Sequence, residues 1–206
     1  MYLNNYQYLK KKEILLVFLL ILFSAAVRVP VIIILGDPNL ENEWLQLVNN
    51  LINHKGLSMS TVEGLLLPNL WMPPLYAYYI YLFSFFNLEN QNFVLLILSS
   101  QIILASISVG IFYSINKYFF SKKISIFSSL LFSLFPLNLY ACSQISSVTL
   151  CIFLALLFYY YFFKITKNNN ILTFFIFAVV AGLLILTRRE FVGILVLSVA
   201  YLYFFF

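Results

Sequence analysis

Three of the chain's 7 acidic residues, Asp37, Glu41 and Glu43, fall inside one short stretch, GDPNLENEW. Carboxylates gathered this way either serve a helix end as cap and dipole partners or form a site at which a proton is taken up. A second concentration of charge, Arg188 and Arg189 in ILTRRE, interrupts an otherwise apolar C-terminal region. Charge at a membrane edge is costly, so a basic pair there reads as kept for a partner. The only histidine, His54, sits where it reads as a helix C-terminal charge partner and not a metal ligand. Cys142 and Cys151 lie alone in apolar segments without metal-ligand spacing, and read as small buried hydrophobes. No metal site and no certain cofactor follow from these residues, and dependence on a divalent metal stays open.

The elements that must position these charges are membrane helices. The chain is 63% hydrophobic and 9% charged, with a mean hydropathy of +0.97, whereas a soluble domain carries roughly a quarter charged residues. The net charge of +5 is spread in short clusters between apolar runs, which is a topology signal and excludes a nucleic-acid partner. Four runs reach the roughly 17–25 residues a span needs: 14–35, 93–115, 124–142 and 145–163. Two more, 171–187 and 191–206, are at the short end. The first run is too long for a signal-peptide core and lacks a small-residue cleavage site, so it reads as a retained helix. Pro74 to Phe86 is too short to cross and reads as re-entrant or interfacial.

Basic residues fix the orientation. Lys10, Lys11 and Lys12 place the N-terminus in the cytoplasm, and a non-crossing 74–86 segment returns Lys117, Lys122, Lys123, Lys164 and Lys167 to the same side. The expected fold is therefore an all-α integral membrane protein with about six transmembrane helices in a single domain, 1–206. Its external loop, 36–92, carries an amphipathic helix over 40–54 and the interfacial helix 74–86. Arg188 and Arg189 break the charge rule, because this topology puts them outside: either the topology is off by one span, or the pair is kept there for a partner.

Within 40–54, Leu40, Trp44, Leu47, Val48, Leu51 and Ile52 recur at spacings of three and four and predict one apolar face. Glu41, Asn42, Gln46, Asn49, Asn50 and Asn53 fall opposite. Asp37 before Pro38 reads as an N-cap, and His54, Lys55 and Gly56 as the C-terminal stop.

The order of these features resembles the N-terminal part of GT-C fold membrane glycosyltransferases, the group of protein O-mannosyltransferases and lipid A aminoarabinose transferases. The resemblance rests on an acid-rich turn after the first span, the aromatic-led helix EWLQLVNNL, the element WMPPLYAYY, QISSVTL at 144–150 and GLLILTRRE at 182–190. It implies a polyprenyl-phosphate-linked sugar donor and an acceptor that attacks the anomeric carbon on the external, periplasmic face of a plasma or bacterial inner membrane. It further implies a base or orienting acid, with Asp37 and Glu41 left as alternatives and Glu43 beside the aromatic, and cations at the donor phosphate. Arg188 and Arg189 are candidates for the latter, with Lys55 and Arg28 as further ones. Trp44, Pro73, Pro74 and Tyr76 would shape the substrate groove. Relatives often carry Arg where Met72 stands, an acid at Val148 and proline at Arg189. They also usually continue through more spans, so the resemblance implies a truncated chain, or one whose missing spans a partner chain supplies. A noncatalytic membrane scaffold and a lipid transporter or flippase are the competing readings. The transporter is disfavoured because the charges gather at one outer face and not at mid-span.

Overall fold

The computed structural model describes residues 2–60, 64–69, 71–86, 88–167 and 170–205. Nine helices follow one another among these residues: α1 (Tyr2–Leu35), α2 (Asn42–Ile52), α3 (Pro74–Ser84), α4 (Asn90–Asn116), α5 (Lys122–Leu134), α6 (Pro136–Ser143), α7 (Val148–Ile165), α8 (Ile171–Thr187) and α9 (Phe191–Phe205). Phe206, the last residue of the expected sixth span, lies outside the described residues. A short antiparallel ribbon, β1 (Ser58–Ser60) with β2 (Leu66–Pro68), pairs Met59 with Leu67. The ribbon is an addition to the expected all-helical fold.

Residues 11–35, α4 and α7 are each long and apolar enough to cross a membrane. The expected continuous span 124–142 is instead broken into α5 and α6, which bend by 49°. The cause is Pro136. Its ring excludes a helical residue before it, so Phe135 sits at φ −64°, ψ 120°, and Pro136 opens the next helix at its first position. The pair together passes as one broken span, while α8 and α9 are shorter apolar helices.

α4 lies against α1, α5 and α7, and α7 against α8. The main core joins Val94, Ile97 and Leu98 of α4 to Leu150, Leu154 and Phe158 of α7 and Phe177, Val180 and Leu184 of α8. On α5, Ser125, Ser129 and Ser133 recur every fourth residue and all are fully buried, a stripe of small residues that allows neighbouring helices to approach closely. Outward-facing Ile14, Phe18, Ile33, Phe127 and Leu131 are exposed, as lipid-facing positions should be. At one end of the bundle Glu13 pairs with Lys117, and the Lys167 ammonium lies 4.2 Å from the centre of the Tyr118 ring. The other end carries the acidic segment, the start of α7 and the α8–α9 turn.

α2 runs over 42–52, inside the expected 40–54, with Leu47, Val48 and Leu51 buried as the periodicity requires. Three expectations about it are corrected. Its N-cap is Glu41, without a side-chain cap bond, and not Asp37. Its end is a left-handed turn at His54 (φ 57°), closed by His54 N–H to Leu51 O and Lys55 N–H to Asn50 O, so histidine and not Gly56 fills the left-handed position directly after the C-cap. Asn50, expected on the polar face, is buried and donates to Ser58 O at 2.7 Å, anchoring the ribbon. α3, 11 residues, rises about 16 Å and cannot span a core of about 30 Å.

Gly110 of α4 lies close against α1: an added Cβ would stand 3.1 Å from both Val17 Cγ1 and Ile21 Cδ1. Gly110→Leu should therefore cost about 1–3 kcal/mol by overpacking, read as a lower thermal midpoint in detergent. Gly182→Ala, where a Cβ meets nothing within 4 Å, should leave that midpoint unchanged or raise it. Equal midpoints for Gly110→Leu and the unmodified protein would contradict this packing.

Candidate functional site

α1 stops at Gly36, where an added Cβ would stand 2.4 Å from Ile32 O, and the chain turns out of the helix. The next residue, Asp37, is taken up by a distant segment. Its backbone N–H donates to Ser143 O at 3.0 Å, and its Oδ2 accepts from the backbone N–H of Ile145 at 2.6 Å. Oδ1 accepts no hydrogen bond from a described residue. Gln144, between those two contacts, donates from Nε2 to Leu35 O at 2.8 Å. The α1–α2 and α6–α7 turns are thus fastened to each other.

A buried amide extends this link. Gln101 Nε2 donates to Gln144 O at 2.9 Å, and Gln101 Oε1 accepts from the Tyr76 hydroxyl at 3.0 Å. Gln101 and Tyr76 are both almost fully enclosed. Burial pushes the Tyr76 phenol well above its usual range, with Tyr79 and Asp37 adding to the rise, so it stays a neutral donor. The Trp44 ring stands edge-on to Tyr76 with centroids 4.7 Å apart, and Tyr79 stacks on the other side at 5.6 Å. Tyr76, expected in a substrate groove, is instead part of the wall behind it.

In front of that wall a cleft of about 330 Å³ opens. Four pieces of chain line it: Trp44 of α2, Trp71 to Pro74 before α3, Ser147 before α7, and Ile185 to Glu190 at the α8–α9 turn. The loop before α3 is shaped by Asn69, whose Oδ1 accepts from Trp71 N–H (3.3 Å) and Met72 N–H (3.0 Å) while Nδ2 donates to Met72 O at 2.9 Å. Pro73 and Pro74 then fix the entry to α3. Arg188 leaves α8 in extended conformation, and Arg188, Arg189 and Glu190 are exposed. The Arg188 guanidinium makes no hydrogen bond or ion pair with a described residue.

Of the residues expected at the site, Trp44, Pro73, Pro74, Arg188 and Arg189 are brought together in this cleft. Asp37 does not line it but holds the amide two residues before Ser147. Glu41 and Glu43 face elsewhere. Glu41 borders a separate groove of about 500 Å³ between α2 and the α3–α4 turn, and Glu43 an open outer surface with Gln46 and Asn49. Lys55 follows the far end of α2, beyond about 12 Å of helix from Trp44 to Ile52. Arg28 is buried 1% exposed within the bundle, where Nη1 donates to Ser24 O at 3.1 Å and Nε has no partner. It lines only a small void with Ser108, Asn138 and Thr149. Among the described residues, no three His, Cys, Asp or Glu gather to hold a metal ion.

Sequence reasoning missed Gln101 and Asn69. Gln101 carried a signal, since it is an amide in the middle of the apolar run LLILSSQIILAS. Gln101→Leu leaves the Tyr76 hydroxyl and the Gln144 carbonyl unsatisfied and should cost about 1–3 kcal/mol, seen as a lower thermal midpoint. An unchanged midpoint would show that the amide does not hold the wall.

The family profile described as dolichyl-phosphate-mannose-protein mannosyltransferase matches residues 72–206. The matched region begins at Met72 and contains the Pro-Pro element, the α6–α7 turn and the arginine pair. No curated protein and no solved structure matches the chain.

Proposed function

Because the chain belongs to the dolichyl-phosphate-mannose-protein mannosyltransferase family of GT-C membrane glycosyltransferases, we propose that it transfers a sugar from a polyprenyl-phosphate donor to an acceptor hydroxyl at the outer face of a plasma membrane. The observation that carries this reading is the cleft in which Trp44, Trp71 to Pro74, Ser147 and the arginine pair converge from four separate segments. Its chemistry suits the donor head. Trp71, 87% exposed, and Trp44 offer apolar faces to a sugar, and two guanidiniums offer fork-shaped donors to a phosphate.

In the proposed step the acceptor oxygen attacks the anomeric carbon, and the bond from that carbon to the phosphate oxygen breaks with its electron pair leaving on the lipid phosphate. Arg188 and Arg189 stabilise the charge that develops there. Asp37 takes the acceptor's proton. Its Oδ2 is already held by Ile145 N–H, which orients Oδ1, and that amide lies two residues before Ser147 of the cleft lining. Catalytic contacts tighten when substrates are bound, so a carboxylate tethered next to the cleft lining fits the role. Glu41, Glu43, Lys55 and Arg28 receive no part in this step, because each faces another surface or the bundle interior.

The membrane orientation follows the same logic. We place all six helical crossings with the N-terminus in the cytoplasm and one domain over 1–206. In support, Lys11, Lys12, Lys117, Lys122, Lys123, Lys164 and Lys167 collect at the end opposite the cleft. Arg188 and Arg189 then sit outside for the phosphate, against the charge rule.

Asp37→Asn keeps an acceptor oxygen for Ile145 N–H but weakens that bond by removing its charge, so it should lower sugar transfer by about 10²–10⁴-fold while costing only about 1 kcal/mol of stability. Glu43→Gln should transfer as the unmodified protein does. The assay is transfer of radiolabelled mannose from polyprenyl-phosphate mannose in proteoliposomes. Full activity of Asp37→Asn would remove Asp37 from the chemistry.

A further inference from the structure

Three charged residues, Arg188, Arg189 and Glu190, line the cleft together, and all three lie on one turn. Phe191 N–H to Arg188 O (3.3 Å) and Val192 N–H to Arg189 O (3.1 Å) close that turn onto the start of α9. Glu190 is the sole acid among the described residues that line the cleft. Arg188, two positions before it, makes no ion pair with it. Both nevertheless act electrostatically on the Cys151 thiol, one turn along α7 from Ser147, so the turn carries the two charges to the same end of α7. The lining offers two guanidiniums and one carboxylate, a net charge of +1. A volume of about 330 Å³ is that of a sphere about 9 Å across, comparable with the screening length of about 8–10 Å at ordinary salt. An anion in the cleft therefore interacts with all three groups.

We propose that Glu190 matches the cleft to the charge of the donor and sets it against the charge of the lipid phosphate left after transfer. The inference rests on the transferase reading above and adds how the product leaves. The donor phosphate is a diester with one negative charge, which a net charge of +1 balances. Transfer breaks the bond from the anomeric carbon to the phosphate oxygen, the electron pair stays on that oxygen, and the acceptor's proton goes to the base. The phosphate remaining on the lipid is a monoester, with a second pKa near 6 and a charge of about −1.5 to −2 at neutral pH. Two arginines alone would suit this product better than the donor and would retain it. The Glu190 carboxylate repels the added charge and removes that preference. Glu190 also directly precedes α9, whose positive end favours an acid. A helix-end role accounts for a carboxylate at this position without requiring that the cleft discriminate between charges, so the two roles separate by measurement.

The test measures binding of two lipids that differ by one charge, farnesyl phosphate and its methyl diester, to the full chain in neutral detergent near neutral pH. Glu190→Gln should move the ratio of the two affinities toward the monoester by about three- to tenfold, the effect of one charge across a cleft of this width. Glu190→Asp keeps the charge and should keep the unmodified ratio. Glu43→Gln removes a carboxylate that faces another surface and should also leave the ratio in place. An unmoved ratio in Glu190→Gln, with only a lower thermal midpoint, would make Glu190 a helix-end charge and overturn the inference, with the transferase reading intact. An equal change in affinity for both lipids would overturn it in the same way. A shift of the same size in Glu43→Gln would show a general surface field and overturn it too. If the unmodified protein binds neither lipid, the phosphate assignment of the arginine pair falls, and this inference with it.

Discussion

One carboxylate oxygen, Asp37 Oδ2, lies 2.6 Å from the backbone N–H of Ile145, and the arrangement of the whole site end depends on that contact. It joins the turn after α1 to the turn before α7, more than a hundred residues later. Neither turn could hold its shape alone, because each exposes backbone groups that a helix has released. Gln144 to Leu35 O, Asp37 N–H to Ser143 O and Gln101 to Gln144 O satisfy those groups in return. A hydrogen bond to a charged acceptor is roughly twice as strong as a neutral one, so the scarce carboxylate stands where the most distant segments must be brought together.

The same link sets what the cleft can present. Through Gln101 it holds Tyr76, Tyr76 backs Trp44, and Trp44 faces Trp71 to Pro74 and the arginine pair across the cleft. The three clustered acids thereby part company. Asp37 turns inward to a backbone amide, while Glu41 and Glu43 turn to two other surfaces. Clustering in sequence here does not become a shared site.

Much of this was legible in the chain. Apolar runs announced the long helices, and spacings of three and four around Trp44 announced α2 and its buried face. The length of PLYAYYIYLFS announced a helix too short to cross. Other features were hidden for identifiable reasons. Asp37 before Pro38 satisfies every local rule for a helix cap, but a tertiary donor 108 positions away outcompetes the local one. The break at Pro136 was written in SLFPLN, yet the run around it is apolar enough to pass as continuous. The ribbon at 58–60 and 66–68 is too short for any periodicity to show. Among the residues expected at the site from motif order, Trp44, Pro73, Pro74, Arg188 and Arg189 line one cleft, whereas Gln101 and Asn69 act through partners that no local pattern displays.

The central claim is that the cleft receives the head of a polyprenyl-phosphate sugar with Asp37 tethered next to its lining. The most direct measurement is a structure in lipid with a donor analogue in which a phosphonate carbon replaces the scissile oxygen. The account predicts the phosphonate within hydrogen-bond distance of Arg188 or Arg189, and the sugar against Trp44 and Trp71 with its anomeric carbon toward Asp37 Oδ1. Density for the analogue in the Glu41 groove, or beside Arg28 within the bundle, would contradict it.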